Sequence, residues 1–244
     1  MTQPIFSIIT VTYNAGHSLE KTIQNILSQT YKEIEIIIID GNSTDNTPDI
    51  IHNYQDKNIV CLSEPDNGLY DAMNKGLKLA KGSYVWFINA GDLLYDNQSI
   101  ENIVKQLSDH LPDIIYGETA IIDKDGKQTQ MRRLKAPKHL TWKSFNMGML
   151  VCHQSFIVKK EIAEPYNLNY RYASDFDWCI RCLKKTNSIF NTNQILSKFE
   201  EGGISTINRK DGLKERFNIM SQFYGKLPTL LRHFWFAIRF LVVK

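Results

Sequence analysis

The chain predicts an α/β fold: one Rossmann-like domain with a mostly parallel central sheet flanked by helices. Three observations carry that reading. Continuous apolar, β-branched runs close on polar residues in IFSIITVTYN and EIEIIIIDGN, and such runs mark strands buried on both faces of a parallel sheet. Helical periodicity fills the intervals between them, the alternation that builds βαβ units. The 244 residues suffice for one large core, and no linker-like composition divides them.

The elements follow in order. The first run closes on Thr12, Tyr13 and Asn14. His17 to Gln29 reads as a helix, because Leu19, Ile23, Ile26 and Leu27 fall on one stripe. The second run closes on Asp40, Thr47 to Tyr54 reads as a short helix, and Asn58 to Ser63 as a third strand. Leu69 to Ala80 supplies a helix whose packing side is Ala72, Met73, Gly76, Leu77 and Ala80, before a strand from Tyr84 to Ile88 that runs into Asn-Ala-Gly-Asp92. This β-α-β-α-β-α-β order to Asp92 is a nucleotide-binding half, and ligands of open α/β sheets bind at the carboxyl ends of the strands. Three strand ends therefore put Tyr13 and Asn14, Asp40, and Asn89 and Asp92 along one edge.

Beyond Asp92 the topology changes. Asp113 to Ile122 and Lys127 to Leu134 flank Asp123-Lys-Asp-Gly126, a hairpin signal. Asp123 and Asp125 also fit the loose metal pattern DxD, but Gly126 behind them favours a turn. Asp175 and Asp177 precede a helix read from Trp178 to Leu183, and a strand from Ile189 to Phe199 leads into Glu200-Glu-Gly-Gly-Ile-Ser-Thr206, a loop or a turn. The division expected is 1–92 and 93–206 as two halves of one domain, with 207–244 as a helical basic extension.

Composition narrows the function. Lys and Arg number 29 against 26 Asp and Glu, a net +3, too even for a nucleic-acid binder. From Ser205 onward, however, eight basic residues face two acidic ones, so the tail is a separate cue. Four cysteines without a framework spacing fit a reduced compartment. Cys179-x-x-Cys182 lies on a predicted helix with no second ligand pair nearby, which argues against zinc or redox chemistry. The N-terminal residues show no basic region before an apolar run, hence no secretory signal is expected. Tyr13-Asn-Ala-Gly-His17 holds a single glycine, so the turn of a dinucleotide-dependent oxidoreductase is missing.

Five motifs occurring in order, SIITVTYN, IIDGNSTDNT, EPDNGLYDAMNKG, FINAGD and SDFDW with GGIST, resemble family 2 of the inverting nucleotide-sugar glycosyltransferases, over about residues 4 to 206. The form with YDAMNKG and GGIST looks like bacterial enzymes of surface-polysaccharide assembly. The resemblance implies a GT-A fold, a nucleotide-sugar donor and a divalent cation, Mn²⁺ or Mg²⁺. It also implies transfer to a glycan or polyprenyl-diphosphate-linked acceptor. A non-catalytic subunit that binds nucleotide sugar or glycan on the same fold is the alternative.

On this reading Asp40 accepts the N3–H of uracil, with Thr12 and Tyr13 lining the base pocket, Asn14 at the same strand end as a donor-binding candidate, and Asp45 and Asp66 as further donor contacts. Each aspartate has a rival role as a turn residue. Asp92 is the expected metal ligand, since a cation offsets the charge that builds on a departing diphosphate. Two positions depart from the family pattern: Asn89 stands where a first carboxylate is common, and Met73 where many relatives carry arginine. Lys75 is a candidate contact to the diphosphate, Asn74 a candidate donor-binding residue, Asn89 can hydrogen-bond ribose or a metal-bound water, and His153 is a candidate ligand or acceptor contact. Asp175 aligns with the catalytic base, which takes the acceptor proton as the oxygen attacks opposite the diphosphate. Asp177 is its rival, and either aspartate can serve as a helix cap.

Pro228 opens a last helix, in which Leu230, Leu231, Phe234, Trp235, Ile238 and Leu241 form a broad apolar face beside Arg232 and Arg239. It is interrupted by charge too often to span a bilayer and resembles an interfacial helix meeting anionic headgroups. Docking on the protein's own core is the other reading. A cytoplasmic protein, peripheral on the inner face of the membrane, is expected.

Overall fold

The computed structural model describes residues 5–54, 59–107, 111–200 and 208–242. The first half matches the expected order: β1 (Phe6–Thr12), α1 (Gly16–Leu27), β2 (Ile34–Asp40), α2 (Thr47–His52), β3 (Ile59–Ser63), α3 (Leu69–Leu79) and β4 (Tyr84–Phe87). Strands β3, β2, β1 and β4 lie side by side, all parallel, with Thr12 opposite Asp40 and Asp40 opposite Ser63. Their period-2 alternation splits the core into two layers. Ile8, Ile36, Ile38 and Trp86 face α1 and α2, while Ile9, Ile37, Ile39 and Phe87 face α3 and a later helix over Ser174–Lys185.

The second half is mixed rather than parallel. It comprises β5 (Leu93–Leu94), α4 (Ser99–Gln106), β6 (Ile114–Ile122), β7 (Gln128–Met131), β8 (Phe156–Lys159), α5 (Ser174–Lys185) and β9 (Ile189–Glu200). The sheet order is β3-β2-β1-β4-β8-β6-β9-β5, with β7 hairpinned on β6. Strand β8 runs antiparallel between β4 and β6, and β9 parallels β6. The C-terminal ends of β6 and β9 therefore point the same way as those of β1 to β4. Asp123 Oδ1 accepts the Asp125 and Lys127 amides and Gly126 has a φ of 83°, so Asp123–Gly126 is the hairpin turn.

Several boundaries differ from the sequence reading, among them the end of β7, at Met131 rather than Leu134. Helix α5 begins at Ser174, which brings Asp175 and Asp177 inside its first turn. A helix not foreseen, α6 (Arg209–Tyr224), precedes α7 (Lys226–Val242), which starts two residues ahead of Pro228. The glycine-containing part of the loop read over residues 200–206 lies outside the described residues. Among the described residues no helix is long and apolar enough to cross a membrane.

Candidate active site

The site is built on the carboxyl rim of the sheet. Asp40 ends β2 fully buried, accepting hydrogen bonds from the Ser43 amide and hydroxyl and, at 2.6 Å, from the Ser63 hydroxyl. Its carboxylate ties the loops after β2 and β3 together and is closed to solvent, so Asp40 holds a turn at the strand end where the uracil contact is expected. Asn14, at a φ of 48°, accepts the Thr44 and Asp45 amides on its Oδ1, so it too organises the loop after β2. Asp45 accepts the Thr47 and Gly16 amides, and hydrogen bonding first from the Thr47 side chain and then from these amides holds its carboxyl below the usual range.

Over this floor three groups converge. A Cβ on Gly41 would lie 2.6 Å from Asp66 Oδ2 and 3.3 Å from the Tyr13 ring. Only glycine lets the Asp66 carboxylate and Tyr13 close over the strand end. Tyr13 keeps 64% of its surface exposed, a ring free to take a stacked base, while Asp66 Oδ1 holds the Gly68 amide at the start of α3. Thr12 Oγ1 is buried without a partner among the described residues, which is unusual for a hydroxyl at such depth.

Helix α3 links this rim to the candidate base. Tyr70, in its first turn, donates its hydroxyl to Asp175 Oδ1 at 3.1 Å, and the Phe176 amide donates to the same oxygen at 2.8 Å. Among the described residues no bond or ion pair engages Oδ2, and Asp175 is only partly buried. Burial first, and then the Asp175 charge, push the Tyr70 hydroxyl well above its ordinary pKa, so it remains a donor. Tyr70 stacks on Tyr166, whose hydroxyl lies 2.6 Å from His153 Nε2. Desolvation lowers His153 to about 4, so the imidazole is neutral, buried and hydrogen-bonded within an aromatic cluster. Asp177, the rival base, is buried and paired with Arg181 at 2.7 Å, while Arg181 also grips Glu164. That makes it a strut.

Asp92 is bonded by the segment that carries His153. Gln154, the neighbour of His153, donates to Asp92 Oδ2 at 2.8 Å, and the Glu200 amide donates to Oδ1 at 3.1 Å. Burial raises the Asp92 carboxyl to about 7, with the Glu200 charge adding to the rise. Glu200 leans over Gly91, whose φ is 100° and whose added Cβ would meet Glu200 Oε2 at 2.6 Å. Asn89 Oδ1 is buried without a partner among the described residues. An unsatisfied amide oxygen beside a carboxylate suited to a positive neighbour fits a hard cation that keeps phosphate oxygens and water in its shell. Among the described residues no group of three acidic, histidine or cysteine side chains could hold a metal alone.

Two predicted donor contacts are also engaged within the protein. Asn74 is buried and bonds the Tyr166 backbone in both directions, at 3.0 and 2.7 Å, fixing α3 to the segment before α5. Lys75 donates to the Pro65 carbonyl and pairs with Glu64, closing the loop that carries Asp66. Sequence reasoning assigned no role to Tyr70 or Gln154 and read Glu200 only as the start of a loop. The rule of strand ends would have found Glu200, the last residue of β9, had the parallel β6–β9 pairing been foreseen. Cys179 and Cys182 lie buried in α5, their thiols raised by desolvation, as packing groups. A separate groove of about 680 Å³, lined by Ile5, Thr30, Tyr31, Lys32 and Glu101, opens at the amino ends of β1 and β2, away from these carboxylates.

Residues 7–166 match the model of glycosyl transferase family 2. The chain belongs to that family. A "PGL/p-HBAD biosynthesis glycosyltransferase" of Mycobacterium bovis is 28% identical over 256 residues, spanning all of this chain and 90% of that protein. The Escherichia coli protein WfgD, named a UDP-Glc:alpha-D-GlcNAc-diphosphoundecaprenol beta-1,3-glucosyltransferase, is 24% identical, over 98% of this chain and 93% of its own length. Staphylococcus aureus TarS 1–349, solved with UDP-GlcNAc, superimposes with a TM-score of 0.71 at 17% identity, covering 98% of this chain and 76% of that one. The protein is thus a glycosyltransferase of GT-A fold, and its rim of strand ends occupies the position where open α/β sheets take ligands.

Proposed function

We propose that this glycosyltransferase transfers a sugar, with inversion, from a nucleoside diphosphate donor that is UDP-linked to a glycan or polyprenyl-diphosphate-linked acceptor in bacterial surface-polysaccharide synthesis. The observation that carries the reading is the divided carboxylate of Asp175: one oxygen held by Tyr70 and the Phe176 amide, the other unengaged. A base must present a lone pair to the acceptor hydroxyl while its own geometry stays fixed. Asp175 takes the hydroxyl proton on Oδ2, the acceptor oxygen attacks the anomeric carbon, and the nucleoside diphosphate leaves from the opposite face.

Tyr13 stacks on the base, while Thr12 and Asp66 offer it and its ribose hydrogen-bonding groups; Asp40, Asn14 and Lys75 act by holding those loops. Asp92, with Asn89 Oδ1, would hold a divalent cation whose chemistry is to neutralise the diphosphate as it departs. Gln154 and the Glu200 amide keep the Asp92 carboxylate oriented. The WfgD name supports both the UDP donor and the lipid-linked acceptor. Outside the site, α7 leaves Leu227, Leu230, Leu231, Phe234, Trp235 and Ile238 exposed, an apolar stripe suited to the interface of a bilayer that carries such an acceptor.

The test is a thermal-shift panel of UDP-, GDP- and dTDP-sugars with and without Mn²⁺, followed by NMR of the product formed from the stabilising donor. Stabilisation by UDP-sugars and an inverted anomeric coupling are expected. Retained configuration, or stabilisation by another nucleotide alone, contradicts the proposal.

A further inference from the structure

Acidic residues are absent from residues 126–160, where eight lysines and arginines occur in a chain of net charge +3. Not all of these cations are available. Arg132 donates to the carbonyls of Leu134, Met149 and Leu150 and so clamps the segment shut, while Lys159 is ion-paired and Lys160 holds the Leu77 carbonyl. Arg133, Lys135, Lys138 and Lys143 are exposed, and none makes an ion pair among the described residues.

This segment is joined to the C-terminal helices. Trp142 stacks on Tyr224 at 5.6 Å with an interplanar angle of 4°, and its carbonyl accepts the Tyr224 hydroxyl at 2.6 Å. Lys143 and Lys184 stand over the Trp142 ring. Arg232 of α7 reaches Met147 Sδ at 3.1 Å. The basic segment and the exposed apolar stripe of α7 therefore belong to one packed block.

We propose that exposed cations of residues 133–143 and the outward stripe of α7 form one composite surface that docks on an anionic lipid bilayer. The proposal rests on the membrane reading of α7 given above and adds the electrostatic half of the contact. Cations of one sign beside apolar side chains complement negatively charged headgroups above an acyl boundary. A second copy fits less well, because a symmetric pairing of the same stripe would bring like-charged neighbours together. Docking here would set the active site at a fixed height above the headgroups that present a lipid-linked acceptor.

The experiment is co-sedimentation of the purified full chain with phosphatidylcholine vesicles with or without phosphatidylglycerol, at two salt concentrations. The wild type is expected to prefer the anionic vesicles and to be weakened by salt. Replacing Lys135, Lys138 and Lys143 together by Gln is expected to weaken that binding on the order of 100-fold, about fivefold per cation, and to reduce the salt dependence, with circular dichroism unchanged. L230S/F234S/W235S is expected to lose binding to both vesicle types. If the lysine variant binds anionic vesicles like the wild type, this proposal falls while the membrane role of α7 stands. A wild type that binds neither vesicle, or a stripe-dependent dimer by light scattering, overturns both.

Discussion

Tyr70 and Asp175 are joined by one hydrogen bond from α3 to α5, and its removal has a defined signature. Tyr70→Phe keeps the ring on Tyr166 but takes a donor from a carboxylate, a bond worth roughly 1.5–3 kcal/mol. We expect kcat to fall about tenfold and the donor KM to hold. An unchanged kcat would make Tyr70 a packing residue only. Asp92 carries a second prediction. Its carboxyl is raised from 3.8 to about 7 by burial, so the folded chain holds a proton that the unfolded chain has released between those values. Its contribution to stability is full below about 4 and is lost as pH rises through 7. The melting temperature should decline from pH 5.5 to 8, Asp92→Asn should flatten that decline, and Mn²⁺ with UDP should stabilise the wild type more at pH 8 than at pH 6. Parallel pH slopes for the two proteins would remove Asp92 from this role. At this scale the sequence marked Asp92 and Asp175 through their motifs. It did not reveal that Asp40 and Asn74 turn inward, because their partners Ser63 and Tyr166 are distant in the chain.

Helix α5 is held by more than its apolar face. Asp177 is buried, Arg181 pairs with it one turn on, and Glu164 closes the set. Arg181→Leu leaves the Asp177 carboxylate buried without its cation, and we expect a loss of about 2–3 kcal/mol by urea unfolding, below the range for wholly buried pairs because Arg181 is partly exposed. A change under 0.5 kcal/mol would show that solvent already screens the pair. The double variant Asp177→Asn with Arg181→Leu should recover part of the loss, since no charge is then stranded. Among the elements, β1, β2 and β4 were legible as apolar runs and α1 and α3 as stripes. Strand β5 was not, being two residues long and fixed by pairing with β9; the apolar run after His153 was legible as a strand, but its antiparallel pairing with β4 and β6 was not. Nor was α6, which spreads its apolar residues around its circumference and folds against α7 and α5.

For the whole molecule, the parallel half was readable because each strand is followed by its own crossover helix. The mixed half depends on β8 inserting antiparallel between β4 and β6, a pairing that closes long loops and leaves no local periodicity. That insertion brings His153 and Gln154 to the rim, and with them the link between Asp92 and the aromatic cluster behind Asp175. The central claim is that this rim places a carboxylate base opposite a donor held at the strand ends. Asp175→Asn tests it most directly, with donor affinity measured by calorimetry and transfer by product formation from UDP-sugar and a lipid-linked acceptor. The account predicts donor affinity within about twofold of the wild type and transfer reduced at least on the order of 100-fold; turnover at the wild-type rate would contradict it.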